Sequence, residues 1–160
     1  MALRILQKTN NLVKGVLLLL LFSRCTSNTV VDLNVGVPEN NWLYSNSAKA
    51  VFEVKDPSVV YNLSFKIRNT NDYRYANLYV LMYLKGPSLA KNTRFQFQLA
   101  NKNGQWTGKG SGDLFSNSFP LLRRFRFPAA GKYEIEIEQN MRDNPLLGIS
   151  DIGLVLEKAE

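Results

Sequence analysis

The chain has 160 residues, with 20 Lys and Arg against 13 Asp and Glu, no His and one Cys. Without His there is no Ser-His-Asp or Cys-His nucleophile system, no His-ligated metal and no histidine pH switch, and one Cys makes neither an internal disulfide nor a Cys-rich zinc site. Four basic residues (Arg4, Lys8, Lys14, Arg24) lie in the first 24 positions, which hold no acid, leaving 16 against 13, an excess that fits a soluble surface and implies no nucleic-acid partner.

In chain order, a basic head over residues 1–14 precedes the uninterrupted apolar run Val16–Phe22. The stretch from Gly15 to Ser23 would rise roughly 14 Å as a helix, about half of a bilayer's hydrocarbon thickness. It is too short to span a membrane and fits the core of an export signal. Cys25 follows three residues after the run. Basic head, Leu run and Cys resemble a bacterial lipoprotein signal, in which the Cys becomes the lipid-bearing first residue, although Arg24 stands where a small residue is usual. The competing reading of Cys25 is a buried free thiol. The expected organisation is a signal over 1–24, a lipidated Cys and short tether over 25–34, and one domain over 35–160.

The rest alternates apolar and polar residues at the period of strands. Expected strands are Thr29–Leu33 as an edge, Ala48–Lys55, Tyr61–Arg68, Asn77–Lys85, Thr93–Leu99, Arg123–Phe127, Lys132–Gln139 and Ile152–Glu157. Asn77–Lys85 is apolar throughout, as a strand covered on both faces would be. Turn chemistry separates these runs at Asp56-Pro57, Asn69–Asp72, Gly86-Pro87, Asn103-Gly104 and Ala130-Gly131. The nearest approach to a helical turn is Gln139–Arg142, stopped by Pro145. Seven to nine strands at this spacing predict an all-β fold, a single antiparallel β-sandwich of Ig-like or jelly-roll type.

Little in the chain resembles a catalytic constellation. Glu134, Glu136 and Glu138 alternate with Tyr133, Ile135 and Ile137, so they read as the solvated face of one strand. Carboxylates of a glycosidase must flank a substrate instead. Gly108-Lys109-Gly110-Ser111-Gly112 lacks the spacing of a phosphate loop or a nucleophile elbow. Trp106, Gly108, Gly110 and Gly112 recur every second residue, which reads as a strand closely approached by the protein's own aromatic layer. No catalytic residue, metal, cofactor or small-molecule substrate is expected. Trp42, Tyr44, Tyr73, Tyr75 and Trp106 lie in or beside turns. Such rings either plug the ends of a sandwich or, exposed, stack on sugars or anchor a protein interface.

Three separated stretches resemble the gliding-motility lipoprotein family GldH of Bacteroidetes bacteria. They are Arg68-Asn69-Thr70 with Tyr73-Arg74-Tyr75-Ala76-Asn77-Leu78-Tyr79, then Trp106–Asp113, then Gly131-Lys132-Tyr133 with Glu138–Leu146. The resemblance implies a non-enzymatic envelope lipoprotein needed for surface gliding. It would be membrane-held by Cys25 and work with gliding proteins and the type IX secretion apparatus that shares components with them. A carbohydrate-binding β-sandwich lipoprotein is the alternative. Surface-exported lipoproteins of Bacteroidetes tend to carry acids shortly after the Cys, whereas residues 26–31 hold none and the first is Asp32, so the resemblance implies a domain facing the periplasm. The expected interaction surface gathers Arg68, Tyr73, Tyr75, Asn77 and Arg142. On this reading Tyr73 and Tyr75 open a strand at the rim and point the same way.

Overall fold

The computed structural model describes residues 28–159; the signal and Cys25 lie outside them. Eleven strands follow in order: β1 (Thr29–Gly36), β2 (Asn41–Trp42), β3 (Ala48–Val54), β4 (Val60–Thr70), β5 (Asn77–Gly86), β6 (Leu89–Gln98), β7 (Lys109–Ser111), β8 (Leu114–Arg126), β9 (Gly131–Gln139), β10 (Leu146–Leu147) and β11 (Ile149–Lys158). A five-stranded sheet runs β1-β11-β4-β8-β7 and a four-stranded sheet runs β3-β9-β5-β6, with all neighbours antiparallel. The short β2 and β10 pair with each other. The two main sheets thus hold nine strands, as the sequence pattern suggests.

The connections decide between the two sandwich types. Leaving out the short β2, β7 and β10, the strands taken in chain order place first, eighth, third and sixth in one sheet. Second, seventh, fourth and fifth make the other. Successive strands mostly cross from sheet to sheet, which is jelly-roll winding. One hydrophobic core fills the space between the sheets. Rings bridge it, as where Phe97 on β6 stacks on Phe119 of β8 with centroids 4.4 Å apart.

Three expectations change. The expected edge strand Thr29–Leu33 forms within β1 and pairs with β11, so residues 29–34 are not a tether. On β5 only Leu78, Val80, Met82 and Leu84 are buried; Tyr79, Leu81 and Tyr83 on the other face are half-exposed. No helical turn forms over Gln139–Arg142, because Gln139 ends β9 and the next residues are bends. The only helix among the described residues is a 3-10 turn, Pro38–Asn40.

Jelly-roll winding also sorts the connections. The stretches 37–47, 71–76, 99–113 and 140–148 meet at one end of the sandwich. The short turns 55–59, 87–88 and 127–130 close the other.

Candidate functional site

The residues expected to form an interaction surface and the Trp106–Gly112 stretch belong to the loop-rich end or its margins, and the four loops there hold one another. Leu146 pairs with Trp42. The Tyr44 N–H donates to Asn144 Oδ1 at 3.0 Å and the Tyr44 hydroxyl to the Met141 carbonyl at 2.7 Å. Gly148 has φ +82, and a Cβ there would stand 2.4 Å from the Tyr73 backbone nitrogen, so the 71–76 loop lies directly on it. Asn71 accepts from Trp106 Nε1 at 3.1 Å and donates to Asp113 Oδ1 at 3.2 Å.

Within this assembly the expected interface divides. Tyr73 is 3 % exposed and belongs to the core. Its ring meets Tyr75 and Trp106, and its hydroxyl donates to the Asn77 carbonyl at 2.8 Å. Burial, with Tyr75 and Asp143 nearby, raises its pKa well above the ordinary phenol value. It is a plug and offers no surface. Nor do Tyr73 and Tyr75 begin a strand, since β5 starts at Asn77 and both lie in the preceding loop. Trp42, 0 % exposed, is likewise internal. Two of the rings that a sugar would need as stacking platforms are therefore used by the protein itself.

Arg68 belongs to another face. Its guanidinium Nε donates to Asp151 Oδ2 at 2.6 Å, on the outside of the five-stranded sheet. Arg68, Asp151, Lys66, Lys109, Ser116 and Asn34 line a polar hollow of about 740 Å³ there. Lys66 in turn pairs with Asp32. Asn77 lines a small depression with Gln96 and Gln98, apart from Arg142.

Tyr75 and Arg142 do come together. With Tyr79, Arg94, Asn140 and Met141 they line a groove of about 330 Å³ between the outer face of β5–β6 and the 140–148 loop. The Arg94 guanidinium lies 4.1 Å from the centroid of the Tyr79 ring. The Met141 sulfur accepts from the Tyr79 N–H at 3.2 Å, and the Tyr75 hydroxyl donates to Asp143 Oδ2 at 2.5 Å. That bond raises the Tyr75 pKa, because it is lost when the phenol ionises beside a carboxylate. Both arginines are exposed, and among the described residues neither forms a salt bridge. Tyr79 and Arg94 were not singled out from the sequence, since only the β5–β6 register brings Arg94 next to Leu81 and hence beside Tyr79.

The Trp–Gly stretch serves three separate ends. A Cβ on Gly110 would lie 3.4 Å from the Phe115 ring, and Trp106 packs on Phe115 with centroids 5.8 Å apart. Gly108 is instead approached by Asn117 and the backbone of β8, while Gly112, at φ +61, makes the turn into β8. The Glu ladder on β9 is tied to its neighbours: Lys49 pairs with Glu134 and Glu136, and the Tyr83 hydroxyl donates to Glu138.

The model of the GldH lipoprotein family matches residues 29–156. The chain belongs to that family. It is 31% identical over 150 residues to the gliding motility lipoprotein GldH homolog of Christiangramia forsetii, with 89% of this chain and 91% of that one covered. It is 29% identical over 157 residues to the gliding motility lipoprotein GldH of Flavobacterium johnsoniae, with 91% and 96% covered. Among solved structures, a cellulose-specific carbohydrate-binding module, CBM28, aligns at 6% identity and TM-score 0.45 over 82% of this chain and 74% of that one. A CBM35 module from Cellvibrio japonicus aligns at 12% identity and TM-score 0.33, covering 81% and 99%. For this GldH-family chain, no described helix is long and apolar enough to cross a membrane.

Proposed function

We propose that this GldH-family chain is a lipid-anchored envelope protein that acts without catalysis. It binds other proteins of the gliding and type IX secretion machinery through the groove of Tyr75, Tyr79, Arg94, Met141 and Arg142. The observation that carries this reading is the pair of exposed guanidiniums lining one groove with two tyrosines, Arg94 over the Tyr79 ring and Arg142 beside it, neither in a salt bridge among the described residues. Tyr and Arg dominate protein interfaces because they bury large area and keep hydrogen-bonding ends. Two unpaired arginines favour an acidic segment of the partner.

Cys25 supplies the anchor on this reading, and the domain faces the periplasm. One acyl chain binds membranes only marginally, at about 0.8 kcal/mol per buried CH₂, so more than one chain is required. Cys25→Ser should move the protein to the soluble envelope fraction; a variant that stays with membranes removes the anchor. Added protease should spare the domain in whole cells.

The groove is tested by placing a photoreactive residue at position 142 in living cells and identifying adducts by mass spectrometry. The control position is Val51, 62 % exposed on edge strand β3. Protein adducts at 142 that disappear with Arg94→Gln support the groove. Adducts equal at both positions would sink it.

A further inference from the structure

We infer that the short-turn end of the sandwich is a seat for anionic lipid headgroups and holds the domain upright on the membrane that carries its anchor. This rests on the anchoring reading of Cys25 and goes beyond it. β1 begins at this end, with Thr29 opposite Glu157, and the Lys158 N–H donates to the Asn28 carbonyl. Three residues separate Cys25 from Thr29, four steps that reach at most about 14 Å when fully extended. An acylated Cys25 therefore keeps this end beside the headgroups, and the loop-rich end points away.

The end is also built to present cations. Opposite β4, Phe125 pairs with Tyr61 and Leu122 with Leu63, so Arg123 and Arg124 both fall against Asn62. This is a bulge, pinned where the Arg124 N–H donates to Asn62 Oδ1 at 2.9 Å with Arg124 at φ 47. A regular strand would turn one of two consecutive residues inward; the bulge leaves both arginines exposed. Arg126, Lys55, Lys132 and Lys158 are exposed at the same end. The acids there among the described residues are Glu53, Asp56 and Glu157, and Asp56 is engaged by the Ser58 N–H. One row further in, Lys85 and Glu134 stand opposite each other. At the loop-rich end, by contrast, Arg74, Lys102, Lys109 and Arg142 are matched in number by Glu39, Asp72, Asp113 and Asp143. Among the described residues, base therefore exceeds acid at the end where the chain meets its anchor, within the few ångströms over which headgroup charge acts.

The test uses the full chain, purified as cells produce it and reconstituted into two kinds of vesicle. One is phosphatidylcholine alone, the other phosphatidylcholine mixed with phosphatidylglycerol. Amide hydrogen exchange should slow severalfold at 55–60 and 123–132 on the mixed vesicles only. High salt and the triple variant Arg123→Gln/Arg126→Gln/Lys132→Gln should abolish the effect; an unchanged melting temperature confirms that the variant is folded. Equal protection on both vesicles, protection at 99–113 or 140–145 instead, or protection that survives the variant overturns the seat. The N-terminal mass separates the two readings. An acylated chain with no dependence on phosphatidylglycerol loses the seat and keeps the anchor. An unacylated chain still protected on the mixed vesicles keeps the seat and loses the anchor, and one without protection loses both.

Discussion

At the end where β1 begins, the turns 55–59, 87–88 and 127–130 close over a single ring. Tyr133 lies across Gly86, where a Cβ would stand 2.1 Å from it, and its hydroxyl donates to the Ala129 carbonyl at 2.8 Å. Phe52 and Phe127 pack on the same ring. At the opposite end no single residue closes the sandwich. Trp42, Tyr73 and Trp106 each fill part of it, and the loops depend on one another through Tyr44, Asn71 and Gly148. An end closed by one ring needs only short turns and can present a plain charged surface. An end closed by four loops can form a groove, but each loop is only as well placed as its neighbours.

Gly148→Ala should break that mutual support most severely. It combines a left-handed backbone position with a Cβ overlapping the Tyr73 backbone, at about 3 kcal/mol in total. A thermal melt should fall by roughly 10 °C. At Gly36, where a Cβ would meet nothing within 4 Å, Ala should leave the melt almost unchanged. A similar loss at both positions would mean that loop contact at Gly148 is unimportant.

Two tyrosines sharpen the contrast between plug and surface. Tyr73→Phe removes the bond to the half-buried Asn77 carbonyl and should cost about 1–2 kcal/mol in denaturant unfolding. Tyr75→Phe, at the groove, should stay within about 0.5 kcal/mol while weakening any partner held there. Equal costs would return Tyr75 to a bracing role. The same pair predicts a pH effect. Folding raises the pKa of Tyr73, so the folded state holds this proton more tightly than the unfolded chain does. Stability from this group is complete below about pH 10, the unfolded phenol value, and is lost as pH rises above it. Unfolding free energy measured from pH 8 to 11 should decline less steeply in Tyr73→Phe.

The smallest effects belong to the outer face of the five-stranded sheet. Lys66→Ala removes an exposed pair with Asp32 and should change stability by less than about 1 kcal/mol. Arg68→Ala should cost more, because Asp151 is only 9% exposed and would lose its cation. Equilibrium unfolding of the two variants side by side gives the order, and the reverse order would misplace Asp151.

Most strands were legible because one face of each is buried. Tyr61, Leu63, Phe65 and Ile67 on β4, and Tyr133, Ile135 and Ile137 on β9, all point into the core as their alternation requires. β8 was legible only in its last third. Its first part reads Ser116, Ser118 and Pro120 on the outside, and the Pro suggests a break. Beyond Leu114–Ser116, β7 no longer covers β8, so Pro120 sits on a free edge where no ladder donor is needed. Uniformly apolar β5 read as covered on both faces, but tyrosines tolerate a half-wet one. The groove was half legible: Tyr75 and Arg142 stood out as residues, whereas Arg94 arrives by register. The burial of Tyr73 was illegible, because it is imposed by Gly148, a distant residue in a loop without periodicity.

The pairing of β1 with β11 bears on mechanical load. β1 starts at the short-turn end, runs the height of the sandwich, and joins only β11 within its sheet. A pull between a membrane anchor before Thr29 and a partner at the far end would act along these strands. Its ladder would then be sheared, with the registers from Thr29 to Gly36 resisting together, instead of being peeled open one bond at a time. Pulling single molecules between residue 28 and position 142 should therefore need a markedly higher force than pulling between residues 28 and 158, which lie at the same end. Equal forces in the two geometries would remove this load-bearing role from β1.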